Sequence, residues 1–293
     1  MADTLPERHD IPTRGRSGFV VVDDRQVHYL EWGRSDAPAV VCLHGGGQTA
    51  YMYEELGARL GSSYHVLAPD LPAHGDSEPL GDDGFTRQEL AASTLPLLEE
   101  FGIDRAAFVG ASLGGITSLT IAAMKPELVG AIVLIDIGHR LEDEGVNRII
   151  EFLGKHESFA SLDEAAVAVA EYLPNRTGPS NPQRLRRNLR QRPDGRWEWK
   201  HRLGRVAGDE DRQVGWRQLT SGMDDEARAI TSPVLVLRGA KSDVLSDEGA
   251  NEIAELLPDA RLATVGAAGH HAAGDNPETT ASLVSEFLTE IGW

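Results

Sequence analysis

Residues 107–115 read AFVGASLGG, an apolar run that stops at a serine bracketed by Gly110, Gly114 and Gly115. The run suits a buried strand, and the segment after it, LGGITSLTIAAM over 113–124, has the character of a helix. A strand that turns at once into a helix leaves no room for side chains at positions 110 and 114, which accounts for the glycines. Such a turn also holds Ser112 in the open, where a base can reach it, and the start of the helix favours negative charge beside it. A glycine-rich turn with an incidental serine would read the same in isolation, so the surrounding sequence must decide.

Outward from this stretch, strand-like runs recur at 19–24, 26–32, 39–45, 65–70, 106–112, 130–138, 233–240 and 260–266. Helix-like segments lie between them at 51–60, 86–101, 113–124, 247–257 and 277–291, with Thr86, Ser112 and Ser246 placed as caps. The first two runs are close enough, across Asp23, Asp24 and Arg25, to form a hairpin. The later ones need crossovers, and their near-continuous apolar character fits parallel strands buried on both faces. The expectation is an α/β fold: a mostly parallel sheet of about eight strands with helices on both faces. From His139 to about Thr231 no such run occurs, an interval too long for a loop. This divides the chain into a core, 1–138 and 231–293, and an inserted helical cap, 139–230. Within the cap, PDGRWEWKHR (193–202) reads as a small hairpin or as a loop covering apolar surface.

Composition narrows the function. With 41% apolar and 25% charged residues among 293, the chain is typical of globular proteins. No apolar stretch is long enough to span a bilayer, and MADTLPERHD at the start lacks a signal-like apolar segment. The single cysteine, Cys42, sits inside AVVCLHG as a buried thiol. A cytoplasmic location is therefore expected. A net charge of −18 argues against nucleic acid as a partner, leaving a small-molecule substrate; oligomeric state is not legible. Between Arg176 and Arg217, however, 12 Lys or Arg stand against 5 Asp or Glu. That basic island, Arg184, Arg186, Arg187, Arg190 and Arg192 included, either grips an anionic substrate or is a solvated face. Trp197, Trp199 and Trp216 either line an acyl pocket or pack the cap onto the sheet.

Ligands of open parallel sheets bind beyond the carboxyl ends of the strands, and the chemically capable residues gather there. A serine hydroxyl needs a base, and histidine suits that work. His270 and its neighbour His271 lie on the glycine-rich loop after the last strand. A carboxylate must orient the base; Asp243, just past the 233–240 run, is the first choice and Asp136, at the end of 130–138, the alternative. The oxyanion of acyl transfer needs donors: the backbone N–H groups of Gly46, with Gly47 as competitor, and of Leu113. His44 is expected to shape the 44–48 loop by hydrogen bonding. No histidine pair has metal-ligand spacing, and the reaction requires no cofactor.

His44-Gly45-Gly46-Gly47, DLPAHGDS over 70–77, Gly110-Ala111-Ser112-Leu113-Gly114, Ser242-Asp243 and Gly269-His270 stand in the order found in the α/β-hydrolase superfamily, which the chain resembles over nearly its full length. The resemblance implies that fold, a nucleophilic Ser112 and, at the position after Gly269, His270 as the base. Pro72 and Ala73 depart from the Arg and Gly usual in the second motif. Serine at 112, where dehalogenases and epoxide hydrolases of the superfamily carry aspartate, argues against both activities. The cap is similar to that of small-molecule esterases and carbon–carbon bond hydrolases. The reaction implied is hydrolysis of a small carboxylic ester by a Ser-His-Asp triad. Carbon–carbon bond hydrolysis, lactonase or perhydrolase chemistry, and low-turnover ligand sensing are the alternatives.

Overall fold

The computed structural model describes residues 11, 13–81, 85–173, 181–201 and 217–293. Trp216 and part of the basic island lie outside them. The chain enters through a hairpin, β1 (Arg16–Val22) and β2 (Arg25–Trp32). Val22 pairs with Arg25, and Asp23 and Asp24 both have positive φ, 49° and 57°. That two-residue turn has the twist an antiparallel pair requires. Then come β3 (Ala39–Leu43), α1 (Glu54–Leu60), β4 (His65–Pro69), α2 (Arg87–Glu100), β5 (Ala106–Ala111), α3 (Leu113–Met124) and β6 (Val129–Ile135). After an excursion, β9 (Val234–Gly239) and β10 (Ala260–Val265) complete one eight-stranded sheet of order β1-β2-β4-β3-β5-β6-β9-β10. It is parallel from β4 to β10, and β2 runs antiparallel to both its neighbours.

Every residue of β3, β4, β5, β6 and β9 is buried, as expected for strands covered on both faces. One face packs Leu43, Leu67 and Phe108 against Leu90 and Leu97 of α2 and Ile116 and Leu119 of α3. The other packs Val40, Cys42 and Val109 against Leu56 and Leu60 of α1 and Val284 and Leu288 of α9 (Pro277–Glu290). Burial holds the Cys42 thiol protonated. The central strands stop earlier than their apolar runs suggest, because Ser112 and Asp136 leave the extended conformation with φ of 47° and 53°. The residues just past the strand ends thereby become loop, where a site can form.

The excursion contributes no strand to the large sheet among the described residues. It holds α4 (Asp143–Lys155), α5 (Leu162–Tyr172), the hairpin β7 (Leu189–Gln191) and β8 (Trp197–Trp199), and α6 (Met223–Ala229). Phe159, Leu162, Ala165, Ala168 and Leu189 form a small core of its own, joined by Phe152, Trp197 and Trp199. Three described arginines of the basic island are engaged by neighbours: Arg190 by Glu198, Arg192 by Asp194, and Arg187 by Glu54 and the Tyr51 ring.

Thr86 and Ser246 cap their helices through side-chain oxygens, whereas Ser112 makes no such bond and keeps its hydroxyl unspent on α3. At Thr86 the bonding is reciprocal with Glu89, a capping box. Thr86→Ala is expected to cost about 1 kcal/mol, read as a lower urea midpoint at unchanged m.

Candidate active site

Ser112 sits between β5 and α3 at φ 47°, ψ −114°, a region that L-residues rarely occupy. Its N–H donates to Ile135 O at 3.1 Å, tying the turn to β6. A Cβ on Gly114 would collide with the Leu43 carbonyl, and one on Gly110 with the Gly114 carbonyl. The two glycines thus let α3 start directly over the end of β3. Leu113 is the first residue of α3, so its N–H has no acceptor within the helix.

On the facing loop, the His44 imidazole donates from Nδ1 to Gly45 O at 2.8 Å and accepts at Nε2 from the Leu71 N–H at 2.9 Å. Burial lowers its pKa, which keeps this neutral form. Gly45 N–H donates to Gln48 Oε1, and Gln48 Nε2 donates to His271 Nδ1 at 2.8 Å. His271 reaches the Tyr172 hydroxyl, 3.4 Å from its Nε2. Gln48 therefore joins the 44–48 loop to the histidine loop, and Tyr172 brings α5 to the same point. Neither residue is signalled in the sequence: Gln48 continues a glycine motif and Tyr172 ends an ordinary amphipathic helix.

His270 Nδ1 lies 2.8 Å from Asp136 Oδ2, and donation to that carboxylate leaves Nε2 as the nitrogen that can act as a base. Asp136 has no exposed surface and also accepts from the Gly239 N–H at 2.8 Å and the Ser242 hydroxyl at 2.5 Å. The expectation that Asp243 orients His270 is corrected by this geometry. The Asp243 carboxylate is turned outward and held by the Arg148 guanidinium at 2.7 Å. Ser242, one residue earlier, is the member of that loop that reaches inward, and it does so to Asp136. The available signal was an aspartate directly after the last apolar residue of β6, the strand next to β5.

Ser112, His270, His271, Gly46, Gly47 and Gln48 line one cavity of about 110 Å³, whose roof comes from the excursion. Phe152 of α4 and Tyr172 of α5 stack there at 4.0 Å between ring centroids, with the Trp199 ring set edgewise against Phe152. Trp199 faces the cavity, whereas Trp197 packs in the small core. None of the described island arginines lines it.

Behind the 44–48 loop the excursion is fastened to the core. Lys200 Nζ meets Asp76 Oδ2 at 2.7 Å, both side chains buried. His201 stacks on Trp199 and packs against His74, which in turn packs on His44. Asp70 pairs with His28 Nδ1 at 2.7 Å and accepts from the N–H groups of Ala50 and Asp76. Burial alone would raise its pKa, yet the His28 hydrogen bond and the nearby imidazoles bring it down to about 2. Ala73, where the superfamily usually has Gly, adopts φ 61°. His28, Asp70 and Asp76 are close enough together to suggest a metal site. Their ligand atoms are, however, engaged by one another and by the Lys200 ammonium.

A family model described as "alpha/beta hydrolase fold" matches residues 38–277. The chain is similar to "Esterase Rv0045c" of Mycobacterium tuberculosis, 30% identical over 269 residues covering 88% of this chain and 85% of that protein. It is also similar to "2-(acetamidomethylene)succinate hydrolase" of Mesorhizobium japonicum, 26% identical over 98% of this chain and 99% of that one. A crystal structure of E-2-(acetamidomethylene)succinate hydrolase superposes with a TM-score of 0.81 at 25% identity, covering 94% of this chain and 99% of that one. Among the described residues no helix is long and apolar enough to cross a membrane.

The imidazole packing has a measurable consequence. Neither ring nitrogen of His201 has a hydrogen-bond partner among the described residues, and burial, then His44, lowers its pKa to about 4. The unfolded chain takes up this proton near pH 6.5, so stability is full above that value and is lost as pH falls towards 4. Asp70, depressed to about 2, acts only at lower pH. His201→Phe should therefore remove about 2 kcal/mol of the stability difference between pH 7 and pH 5. Denaturant titrations at the two pH values read it; an unchanged difference would refute the linkage.

Proposed function

Because this chain belongs to the alpha/beta hydrolase family and is a hydrolase, we propose that it cleaves a small carboxylic ester through an acyl-enzyme on Ser112. The observation that carries this reading is the shared cavity of Ser112 and His270, with the buried Asp136 bonded to the far side of the imidazole. His270 Nε2 takes the hydroxyl proton as Ser112 Oγ attacks the ester carbonyl carbon. The oxyanion is received by the N–H groups of Gly46 and Leu113. Collapse expels the alcohol with the proton from His270, and water then enters by the same route to free the acid. Asp136 orients the ring and stabilises its cation. It takes the role that sequence reading assigned to Asp243. Residues 139–230 act as a cap over the core, 1–138 and 231–293, excluding water from the acyl group. These steps require no cofactor.

Carbon–carbon bond hydrolysis by the same residues is the second reading, within the same hydrolase family. A panel of esters, lactones and vinylogous diketones separates the two. On a chromogenic short-chain ester, Ser112→Ala is expected to lose turnover and fluorophosphonate labelling together. Asp136→Asn should lower kcat by about 10²–10⁴-fold, with Asp243→Asn within a few-fold of wild type. The opposite ranking of the two aspartates would return the orienting role to Asp243.

A further inference from the structure

The cavity beside Ser112 is walled by Ile149, Phe152, Leu153, Val169, Leu173 and Trp199. Among its described lining residues there is no Lys, Arg, Asp or Glu. Three described cations of the same elements or their neighbours are committed elsewhere: Arg148 to Asp243, Arg187 to Glu54, Lys200 to Asp76. Gln48, Tyr172 and His271 are among the polar groups that do face it. Gln48 is engaged by Gly45 and His271, and because His271 Nδ1 accepts from Gln48, its proton sits on Nε2 and points to the Tyr172 oxygen. That leaves the Tyr172 hydroxyl hydrogen as a donor into the cavity, and burial raises the pKa of that phenol, so the hydrogen stays. A hydroxyl can satisfy a carbonyl or hydroxyl on a substrate, but it does not neutralise a carboxylate. An ionised group placed there would lose its hydration without gaining an oppositely charged partner among the described lining residues, within a chain of net charge −18. Size adds a limit: an apolar cavity of roughly 150 Å³ accepts benzene, so about 110 Å³ fits an acyl group of four or five carbons.

Resting on the hydrolase reading above, we propose that this site is selective for a short, uncharged acyl group and rejects an acyl group of the same length that ends in a carboxylate. The described arginines of the basic island then take no part in recognising the acyl group.

Three ethyl esters differing at one end test this: ethyl butyrate, ethyl succinamate and monoethyl succinate, with ethanol release measured for the wild type and for Ser112→Ala as background. The expected result is a kcat/KM for both neutral esters at least tenfold above that for monoethyl succinate. A smaller ratio, with hydrolysis dependent on Ser112, overturns the charge selection and leaves the hydrolase reading standing. No hydrolysis of any of the three, with Ser112 still labelled by a fluorophosphonate, overturns the acyl-pocket assignment. Failure of the label itself removes the hydrolase reading and the proposal with it.

Discussion

The close approach of α3 to the end of β3 is the constraint on which the other features depend. With Gly114 against the Leu43 carbonyl, α3 begins where the parallel strands end. This forces Ser112 into a backbone conformation that costs about 1–3 kcal/mol. The strain is offset by the wholly buried strands on either side, β3 and β6, which pair with β5 along its length. A side chain at position 114 would lift α3 off β3, moving the serine and the Leu113 N–H away from Gly46 at once. The proposed nucleophile and the Leu113 N–H are thus placed by one contact, and the hydroxyl keeps its freedom because it does not cap the helix it precedes.

The second requirement is electrostatic. Asp136 is a carboxylate with no exposed surface, and a buried charge persists only when its oxygens are satisfied. Gly239, Ser242 and His270 each donate to it. Two come from β9 and the loop after it, so that loop matters to the site although Asp243 faces outward. Asp70 repeats the arrangement on the other side, with His28 and two backbone N–H groups around it. One buried carboxylate bonds the histidine and the other the N–H groups of Ala50 and Asp76. The excursion is fastened to the second through Lys200, Asp76 and the His201–His74–His44 row.

Much of this was legible because apolar runs and glycines report backbone constraints directly. The eight strands, the long excursion, the hairpin across Asp23, Asp24 and Arg25 and the setting of Ser112 follow from residue pattern alone. The choice between Asp136 and Asp243 did not. Both lie just past the carboxyl ends of strands, and which one meets His270 depends on loop path: Asp136 turns inward at once with positive φ, whereas the loop after β9 spends its inward position on Ser242. Gln48 and Tyr172 were invisible for a related reason, since their hydrogen bonds span elements far apart in sequence. The arginine island illustrates a different limit. Composition revealed the charge but not its partners, and Glu54, Glu198 and Asp194 pair with three of the described arginines.

The central claim is that Asp136 and His270 act as one unit on Ser112. A double-mutant cycle measures this most directly: kcat/KM for Asp136→Ala, His270→Ala and the double variant on one ester. Groups that act together lose their effect together, so the double variant should be about as active as His270→Ala alone. Losses that multiply, leaving the double variant lower by the full product of the single effects, would contradict the account.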